Sequence, residues 1–197
     1  MRLYHSPGSR STRVLWVLEE IGAPYDLTIV TREERRSPEF RDRHPLGRVP
    51  VLELDDGRML IESAAICLYL GDRFPEAGLA PAPDSAERPW LYQWTVFAMT
   101  ELEPVAGGWV RADRDGTDPG DHPANFIERA GLLERALADR DWLLGDFSVV
   151  DAITARVVNM VFSRNLTDEL PRLRAYTERA LARPAAIRAD ALGRQPA

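Results

Sequence analysis

The stretch His44-Pro45-Leu46-Gly47-Arg48-Val49-Pro50-Val51-Leu52 places a proline directly before an apolar run. Proline has no backbone N–H, so within sheets it is confined to strand starts, edge strands and bulges. If the bond before Pro50 is cis, the backbone of Val49 turns outward and offers its N–H and C=O to an extended peptide. A trans proline that merely starts an edge strand is the alternative, and it is the commoner case for an isolated X-Pro pair.

Eleven residues after Val51, the pair Glu62-Ser63 opens a predicted helix. A helix N-terminus attracts anions through its free N–H groups and its dipole, so Ser63 and the first turn suit a carboxylate. Glu62 could pair with an ammonium group. Ser63 could also serve as an N-cap, a common position for serine, and both roles are compatible. Together with Val49 and Pro50, this pair predicts a pocket for a small peptide with a charged amino-acid end.

The beginning of the chain predicts a small α/β domain. Residues 2–5 and 27–30 have strand patterns, and apolar residues recur at helical spacing over residues 14–21 between them. Gly22 ends that helix, and Pro24 supports the stop. The order strand, helix, strand favours a parallel pair with a right-handed crossover. A hairpin is predicted further on, because two short strand patterns flank the turn Asp55-Asp56-Gly57-Arg58.

The rest of the chain predicts helices. Prolines cluster around residues 75–89, which indicates a linker. The predicted boundaries are therefore a domain at 1–76, a linker at 77–88 and an all-helical domain at 89–197. Its predicted helices span residues 90–111, 125–138, 148–163 and 170–181, with a short helix after Pro184. The segment Ser148-Val149-Val150-Asp151 predicts a capping box at the start of a buried helix, with aspartate in place of the usual glutamate.

Composition excludes several classes of protein. The 197 residues carry a net charge of −6, which argues against a nucleic-acid surface, so no nucleic-acid partner is expected. No apolar run approaches membrane-spanning length and no signal-peptide pattern opens the chain, so we expect no membrane partner. The single cysteine, Cys67, excludes an intrachain disulfide and favours a reducing, cytoplasmic location. The three histidines lack ligand spacing, so no metal is expected.

These motifs, taken together, resemble the glutathione S-transferase family over essentially the whole chain. The resemblance is carried by the strand and the Ser-Pro-Gly-Ser turn, the stretch 44–52, the hairpin, and Glu62-Ser63-Ala64-Ala65-Ile66. In the helical half, Leu143-Leu144-Gly145-Asp146-Phe147-Ser148-Val149-Val150-Asp151-Ala152 is similar to a signature segment of that family. Features of the bacterial beta class and of theta-like members are both present.

The resemblance implies a fold, a reaction and partners. The fold is an α+β/α arrangement, with an N-terminal thioredoxin-like domain that binds glutathione followed by an all-helical domain that carries the electrophile pocket. The implied enzyme activates the glutathione thiol and adds it to an electrophilic, largely apolar substrate, with glutathione as co-substrate. The family usually forms homodimers. Trp90, Trp94 and Trp109 fall where relatives build the interface and the pocket, although ordinary core positions are equally compatible.

Catalysis would depend on the turn from Ser6 to Ser11. The thiol of glutathione has a pKa of about 8.5, like that of free cysteine, and the thiolate is the nucleophile, so a hydroxyl donor would help. Ser9 best matches the serine of theta-like relatives and is the predicted donor. Ser11 is the second choice, since it also resembles the N-cap of the first helix. Arg10 stands where beta-class enzymes carry cysteine, so it could add only positive charge.

The resemblance also assigns the ligand contacts. Val49, preceding Pro50, would pair its backbone with the cysteinyl part of glutathione, and Glu62 with Ser63 would hold the γ-glutamyl end. Arg48 could contact the glycyl carboxylate, and His44 stands where relatives often carry asparagine. Plain surface positions are the alternative for Arg48 and His44.

Other functions on the same fold stay open. A glutathione-dependent isomerase, dehalogenase or lyase of a catabolic pathway would use the same thiolate. A third alternative is a binding module without catalysis, which the presence of Arg10 in the catalytic turn favours.

Overall fold

The computed structural model describes residues 1–193, which form two compact units. The sheet unit contains Met1–Gly78 together with the described residues from Arg183 onward, and the helical unit contains Leu79–Ala182. Among the described residues, no helix combines the length and the apolarity that crossing a bilayer requires.

The sheet unit has four strands in the order β2-β1-β3-β4. Their bounds are β1 (Arg2–His5), β2 (Asp26–Ile29), β3 (Val51–Glu53) and β4 (Met59–Ile61). The central strand β1 pairs in parallel with β2, as Leu3 opposite Leu27 shows, and antiparallel with β3, where Tyr4 faces Val51. In the hairpin, Val51 lies opposite Ile61. The predicted parallel pair and the predicted hairpin are therefore both present.

Helices account for most of the remaining structure. In chain order they are α1 (Ser11–Ile21), α2 (Pro38–Arg43), α3 (Ser63–Arg73), α4 (Arg88–Phe97), α5 (Glu103–Asp115), α6 (His122–Ala136), α7 (Val149–Phe162), α8 (Pro171–Leu181) and α9 (Pro184–Leu192). Short 3-10 turns span Glu34–Arg36 and Pro75–Ala77. The predicted end of α1 is confirmed, since Gly22 adopts the left-handed conformation with φ of 70° and donates its N–H to Leu18 O at 2.9 Å.

A small apolar cluster joins the sheet to α2. Its buried members are Tyr4, Val30, Phe40, Val49 and Val51. The Tyr4 ring meets Phe40 edge-on at 6.0 Å, and its hydroxyl donates to Glu53 Oε2 at 2.8 Å. Burying the ring while its hydroxyl keeps a polar partner is the usual way to accommodate tyrosine in a core. Tyr4 is thus a core residue of the sheet unit.

The last described helix, α9, belongs to the sheet unit because it packs along α1. Arg183 donates to both carboxylate oxygens of Glu20, at 2.6 and 2.8 Å, and Arg188 binds Glu19 at 2.8 Å. Bidentate arginine–carboxylate pairs of this kind fix orientation as well as contributing energy. The structure therefore differs from the predicted boundary, which assigned residues 89–197 to the helical domain. The part of that prediction that concerns residues 194–197 lies outside the described residues.

The first long helix of the helical unit also differs from the prediction. One helix was expected over residues 90–111, but α4 and α5 are separated by a π-helical segment at Ala98–Leu102. Pro104 lies at the start of α5 and has no N–H to continue the α-helical hydrogen-bond ladder. Such wide turns commonly accommodate an irregularity in the ladder.

The predicted capping box is present at the start of α7. The buried Asp151 carboxylate accepts hydrogen bonds from Ser148 N at 2.9 Å and Leu143 N at 3.0 Å, and from the Tyr176 hydroxyl at 2.9 Å. Burial raises the pKa of Asp151, and these hydrogen bonds oppose that rise. The next residue, Val149, donates to Leu79 O at 2.9 Å, so Leu79 is part of the helical unit although it was predicted as linker.

We expect Ser148→Ala to lower the free energy of unfolding by about 0.5–2 kcal/mol, the usual contribution of an N-cap side chain. Ser163→Ala is the matched control, because Ser163 is exposed at the other end of the same helix and should change stability by less than about 0.5 kcal/mol. Denaturant titration measures both values. Equal stability of Ser148→Ala and the parent protein would show that the box contributes nothing.

Candidate functional site

Strand pairing collects the predicted site segments at one end of the sheet. Strand β1 finishes at His5, next to the point where β3 begins at Val51 and β4 finishes at Ile61. The turn 6–11, the pair Val49-Pro50 and the pair Glu62-Ser63 extend directly from these three strand ends. We call this the site end of the sheet. The strand register therefore brings these segments, which are far apart in the sequence, together at one end of the sheet.

The turn after β1 is held together by hydroxyl groups. Ser9 Oγ lies 2.6 Å from Ser11 Oγ and 2.7 Å from Ser6 O, and it also accepts a hydrogen bond from Ser11 N at 3.2 Å. Ser6 N in turn donates to Ser11 Oγ at 3.1 Å. Ser11 is fully buried, whereas Ser9 is partly exposed. Of the two residues predicted to supply the hydroxyl, Ser9 is therefore the one with surface accessible to solvent.

A buried histidine extends this network. His5 Nδ1 lies 2.8 Å from Ser11 Oγ, and the whole side chain is inaccessible to solvent. On the other side of the ring, Nε2 packs against Gly193, where a Cβ would lie only 2.7 Å from it. Burial lowers the pKa of His5, and polar contacts with Ser11 and Gly193 partly oppose this. The imidazole is therefore held neutral. We call His5, Ser6, Ser9 and Ser11 the turn network.

The predicted N-cap role of Ser11 is wrong. Helix α1 begins at Ser11 itself, and its N-cap position is occupied by Arg10. The Ser11 side chain lies within the turn network, where its hydroxyl is hydrogen-bonded to His5 and Ser9. Arg10 is exposed at this position, so its charge lies at the surface of the turn.

The pair Val49-Pro50 is joined by a cis peptide bond, as the sequence suggested. Both residues are buried, and Val49 is a member of the apolar cluster beneath the site end. The pairing register of β3 begins at Val51, so Val49 lies just beyond the ladder. Its side chain therefore anchors a piece of backbone that continues past the end of the sheet.

The turn that leads to Val49 is built around His44. Its ring is buried, and Nδ1 accepts a hydrogen bond from Leu46 N at 3.2 Å, which leaves the proton on Nε2. Burial lowers the pKa of His44, the Glu62 carboxylate opposes this, and Arg48 adds to it. The surface alternative for His44 is therefore wrong, because its nitrogen shapes the turn. Arg48 remains exposed.

At the third segment, the helix α3 begins at Ser63 and has Glu62 in its N-cap position. The predicted N-cap is thus displaced by one residue. Glu62 is exposed and has a φ of 69°, a conformation that residues other than glycine rarely adopt and that is often found at functional sites. Ser63 is buried, and its hydroxyl lies 3.5 Å from Nη1 of Arg13.

Arg13 is a candidate site residue that could not be identified from the sequence. It is buried on α1, and its Nη1 lies 3.5 Å from Ser63 Oγ, so it connects α1 to the start of α3. A charged residue directly before the apolar run 14–18 was the available signal. Its charge also acts on Cys67, although burial dominates there and raises the pKa of that thiol to about 12. Cys67 is therefore an inert core residue.

Residues 1–193 contain no group of three or more histidine, cysteine, aspartate or glutamate side chains arranged to hold a metal ion.

Comparisons with known proteins agree with this geometry. Residues 3–78 match the family described as "Glutathione S-transferase, N-terminal domain". The chain is also similar to "Glutathione S-transferase GstA" of Escherichia coli O157:H7, with 29% identity over 189 residues that cover 93% of this chain and 94% of that protein.

Two solved structures extend the likeness to nearly the full length. One is a glutathione transferase from Methylococcus capsulatus, with 32% identity, a TM-score of 0.85 and coverage of 98% of both chains. The other is a sphingomonad glutathione S-transferase complexed with glutathione, with 29% identity, a TM-score of 0.84 and the same coverage. These matches confirm the predicted fold class, a thioredoxin-like domain combined with a helical one.

Gly47→Ala tests the turn at residues 44–48. Gly47 has a φ of +59°, and a Cβ there would collide with the backbone carbonyl oxygen of Arg35. Gly57→Ala is the matched control, because Gly57 has a φ of +82° with open space around it. Placing alanine in the left-handed region should cost about 1–2 kcal/mol in each variant. The collision should add about 1–3 kcal/mol in Gly47→Ala alone. Denaturant titration showing equal losses would mean that the turn has room to move.

His44→Asn tests the buried imidazole. The folded pKa of His44 is lowered, so below its unfolded value of about 6.5 the unfolded chain binds more protons and stability falls as pH decreases. Asparagine keeps an oxygen for Leu46 N but does not titrate. We therefore expect the variant to lose less free energy of unfolding than the parent between about pH 7.5 and pH 5. Identical pH profiles would show that His44 does not resist protonation.

Proposed function

Because the chain belongs to the glutathione S-transferase family, we propose that it binds glutathione at the site end of the sheet and adds its thiolate to an electrophilic, largely apolar substrate. The observation that carries this proposal is the convergence of three segments on one place. They supply a hydroxyl donor at Ser9, an extended backbone at Val49 and a helix N-terminus at Ser63. These are the groups that a thiol-containing tripeptide with charged ends requires.

The chemistry begins with the thiol of glutathione. Its pKa of about 8.5 leaves it mostly protonated near neutral pH, whereas the thiolate is the nucleophile. The thiol proton passes to solvent, and a sulfur lone pair forms a bond to the electrophilic carbon. The electron pair displaced at that carbon leaves with the departing group, or moves to an acceptor atom that then takes up a proton. A donor that stabilises the thiolate before attack favours this sequence.

Ser9 is the proposed donor to the sulfur. Its hydroxyl is partly exposed and lies at the start of α1, whose N-terminal dipole favours negative charge. A hydrogen bond to a charged acceptor is stronger than one between neutral groups, so donation to a thiolate outweighs the present bond to Ser6 O. Arg10, exposed next to Ser9, adds positive charge close to the sulfur. Ser11 is buried and acts on Ser9 rather than on the ligand.

The cysteinyl part of glutathione is proposed to pair with the backbone of Val49. This residue continues β3 just beyond its ladder, so an extended ligand can add to it as a short strand. The buried Val49 side chain keeps that backbone in place, since it packs in the same cluster as Tyr4 and Phe40. Pro50 follows without an N–H and so leaves the pairing to Val49.

The γ-glutamyl end is proposed to bind at the start of α3. The free N–H groups of the first turn and the Ser63 hydroxyl would receive its carboxylate, and the exposed Glu62 would pair with its ammonium group. Arg13, 3.5 Å from Ser63 Oγ, adds buried positive charge beneath the carboxylate. This arrangement places opposite charges at both ionised groups of the ligand.

The glycyl carboxylate is proposed to meet Arg48, whose exposed guanidinium lies in the turn before Val49. His44 shapes that turn through its hydrogen bond from Leu46 N. It contributes to binding mainly by holding Arg48 and Val49 in position.

The protein is further proposed to act as a homodimer. Within the helical unit, α4 exposes Trp90, Tyr92 and Val96, each with between 48% and 57% of its surface accessible. Tyr92 and Val96 are four residues apart and so lie on one face of α4, and exposed apolar side chains next to each other are characteristic of surfaces that a partner covers. We also propose a cytoplasmic location, on the grounds of the single cysteine, which is buried and unreactive.

Ser9→Ala tests the proposed donor. Losing a hydrogen bond to a charged group costs roughly 1.5–3 kcal/mol, so turnover of a general electrophile should fall about ten- to a hundredfold. Binding of glutathione, measured by calorimetry, should stay close to that of the parent protein. Ser11→Ala should reduce turnover less, because Ser11 acts through Ser9.

The control is Ser163→Ala, an exposed serine of the helical unit whose loss should leave turnover unchanged. Full turnover in both Ser9→Ala and Ser11→Ala, with normal glutathione binding, would contradict the serine mechanism. A parent protein that neither binds immobilised glutathione nor turns over an electrophile would instead contradict the proposed function as a whole.

A further inference from the structure

His5 has no role in the mechanism proposed above, yet it is a fully buried polar side chain next to the catalytic turn. Its Nδ1 is 2.8 Å from Ser11 Oγ, and Ser11 Oγ is 2.6 Å from Ser9 Oγ. Three polar groups thus form a continuous line from the interior of the sheet unit to the partly exposed hydroxyl of Ser9. Buried polar groups are retained mainly where all their hydrogen bonds are satisfied, so the direction of each bond can be worked out.

We propose that His5 is a positioning residue that sets the direction of this hydrogen-bond line, so that the Ser9 proton is directed outward to the sulfur of glutathione. This proposal rests on the proposed function and deepens it. In it, neutral His5 carries its proton on Nδ1 and donates to Ser11, and Ser11 donates to Ser9. The hydroxyl proton of Ser9 is then the one left for a ligand.

Counting donors and acceptors supports this direction. A serine hydroxyl has one proton and two acceptor sites. With the proton on Nδ1, Ser11 Oγ accepts from His5 and from Ser6 N at 3.1 Å, and it donates to Ser9. Ser9 Oγ accepts from the hydroxyl and from the N–H of Ser11, and its own proton goes to Ser6 O at 2.7 Å. Every site on both hydroxyls is filled, and only the last bond must be exchanged when a thiolate arrives.

The opposite direction fails when a ligand binds. With the proton on Nε2, the Ser11 hydroxyl would donate to Nδ1, and Ser9 would have to donate to Ser11 across their 2.6 Å separation. Turning the Ser9 proton toward sulfur would then leave two oxygen atoms in close contact with no proton between them. The Nδ1–H form avoids this conflict. Its cost falls on Nε2, which is buried against Gly193 without a hydrogen-bond partner among the described residues.

We expect this hydrogen-bond line to stabilise the thiolate as well as to orient the Ser9 proton. A hydroxyl that accepts hydrogen bonds becomes a better donor, because each bond polarises the next in a low-dielectric interior. Since burial lowers the pKa of His5, the ring remains neutral and its direction of donation does not change near neutral pH.

The first test is a direct observation of the proton on the native protein. Nitrogen-15 NMR of histidine-labelled protein distinguishes Nδ1–H from Nε2–H rings, with His5→Asn used to assign the signal of His5. We expect Nδ1–H for His5. His44 provides an internal control with the opposite tautomer. Its Nδ1 accepts a hydrogen bond from Leu46 N, so its proton must lie on Nε2. An Nε2–H form of His5 would overturn the proposal, whatever the protein's activity.

The second test compares two variants of His5. Asparagine can place an N–H donor near the position of Nδ1, whereas leucine fills the space without a donor. The ultraviolet absorbance of bound thiolate, followed against pH, gives the pKa of glutathione on each protein. In His5→Leu we expect that pKa to rise by about 0.5 to 1 and kcat to fall about three- to tenfold, the effect of one hydrogen bond. In His5→Asn both values should stay near those of the parent.

A purely structural role for His5 predicts a different result. Both variants would then lose thermal stability. The pKa of the glutathione thiol bound to His5→Leu would equal its value on the parent protein, and that result would overturn the proposal. Calorimetry with glutathione separates this outcome from failure of the proposed function. If the parent binds glutathione and lowers its thiol pKa, only the role of His5 is contradicted. If the parent does not bind glutathione, the proposed function fails, while the NMR result still decides the direction of the line.

Discussion

The pairing of β1 on both of its edges is the constraint on which the site depends. Its parallel bonds to β2 and its antiparallel bonds to β3 fix one register on each side. A slip by one residue would turn every side chain to the opposite face, so the register cannot adjust. The end of β1 must therefore lie beside the start of β3, and the serine turn must lie beside Val49. The strand order thus sets where the segments of the candidate site lie, and the side chains around the site adjust only the distances between those segments.

Features encoded by neighbouring residues could be predicted from the sequence. Gly22 ends its helix because only glycine tolerates that backbone conformation cheaply, and the hairpin turn at residues 55–58 follows the same logic. The capping box at Ser148 is equally local, since its two partners are three residues apart. Val49-Pro50 and Glu62-Ser63 flank the paired strands β3 and β4, so the sheet brings them to the same end, while their role in binding a ligand stays a prediction.

What the sequence did not reveal depends on distant partners. Ser11 looked like an N-cap, but its hydroxyl is engaged by His5, a contact that only the turn's three-dimensional course creates. Arg13 was not identified from the sequence, because only the packing of α1 against α3 brings it to Ser63. For His44 the surface alternative stayed open, because its neighbours in the sequence do not indicate that it is buried. In each case a polar side chain was buried with a partner, which is the situation that local patterns describe least well.

The packing of α9 on α1 has a consequence for synthesis. The ribosome releases the chain from its N-terminus, so the strands and α1 emerge long before Arg183 and Arg188 exist to meet Glu20 and Glu19. Until then, one side of α1 has no partner and the ring of His5 has no Gly193 against it. The helical unit, complete at Ala182, can fold ahead of the unit that precedes it in sequence. The sheet unit, which comes first in the sequence, therefore reaches its described packing only after the helical unit that follows it has been synthesised.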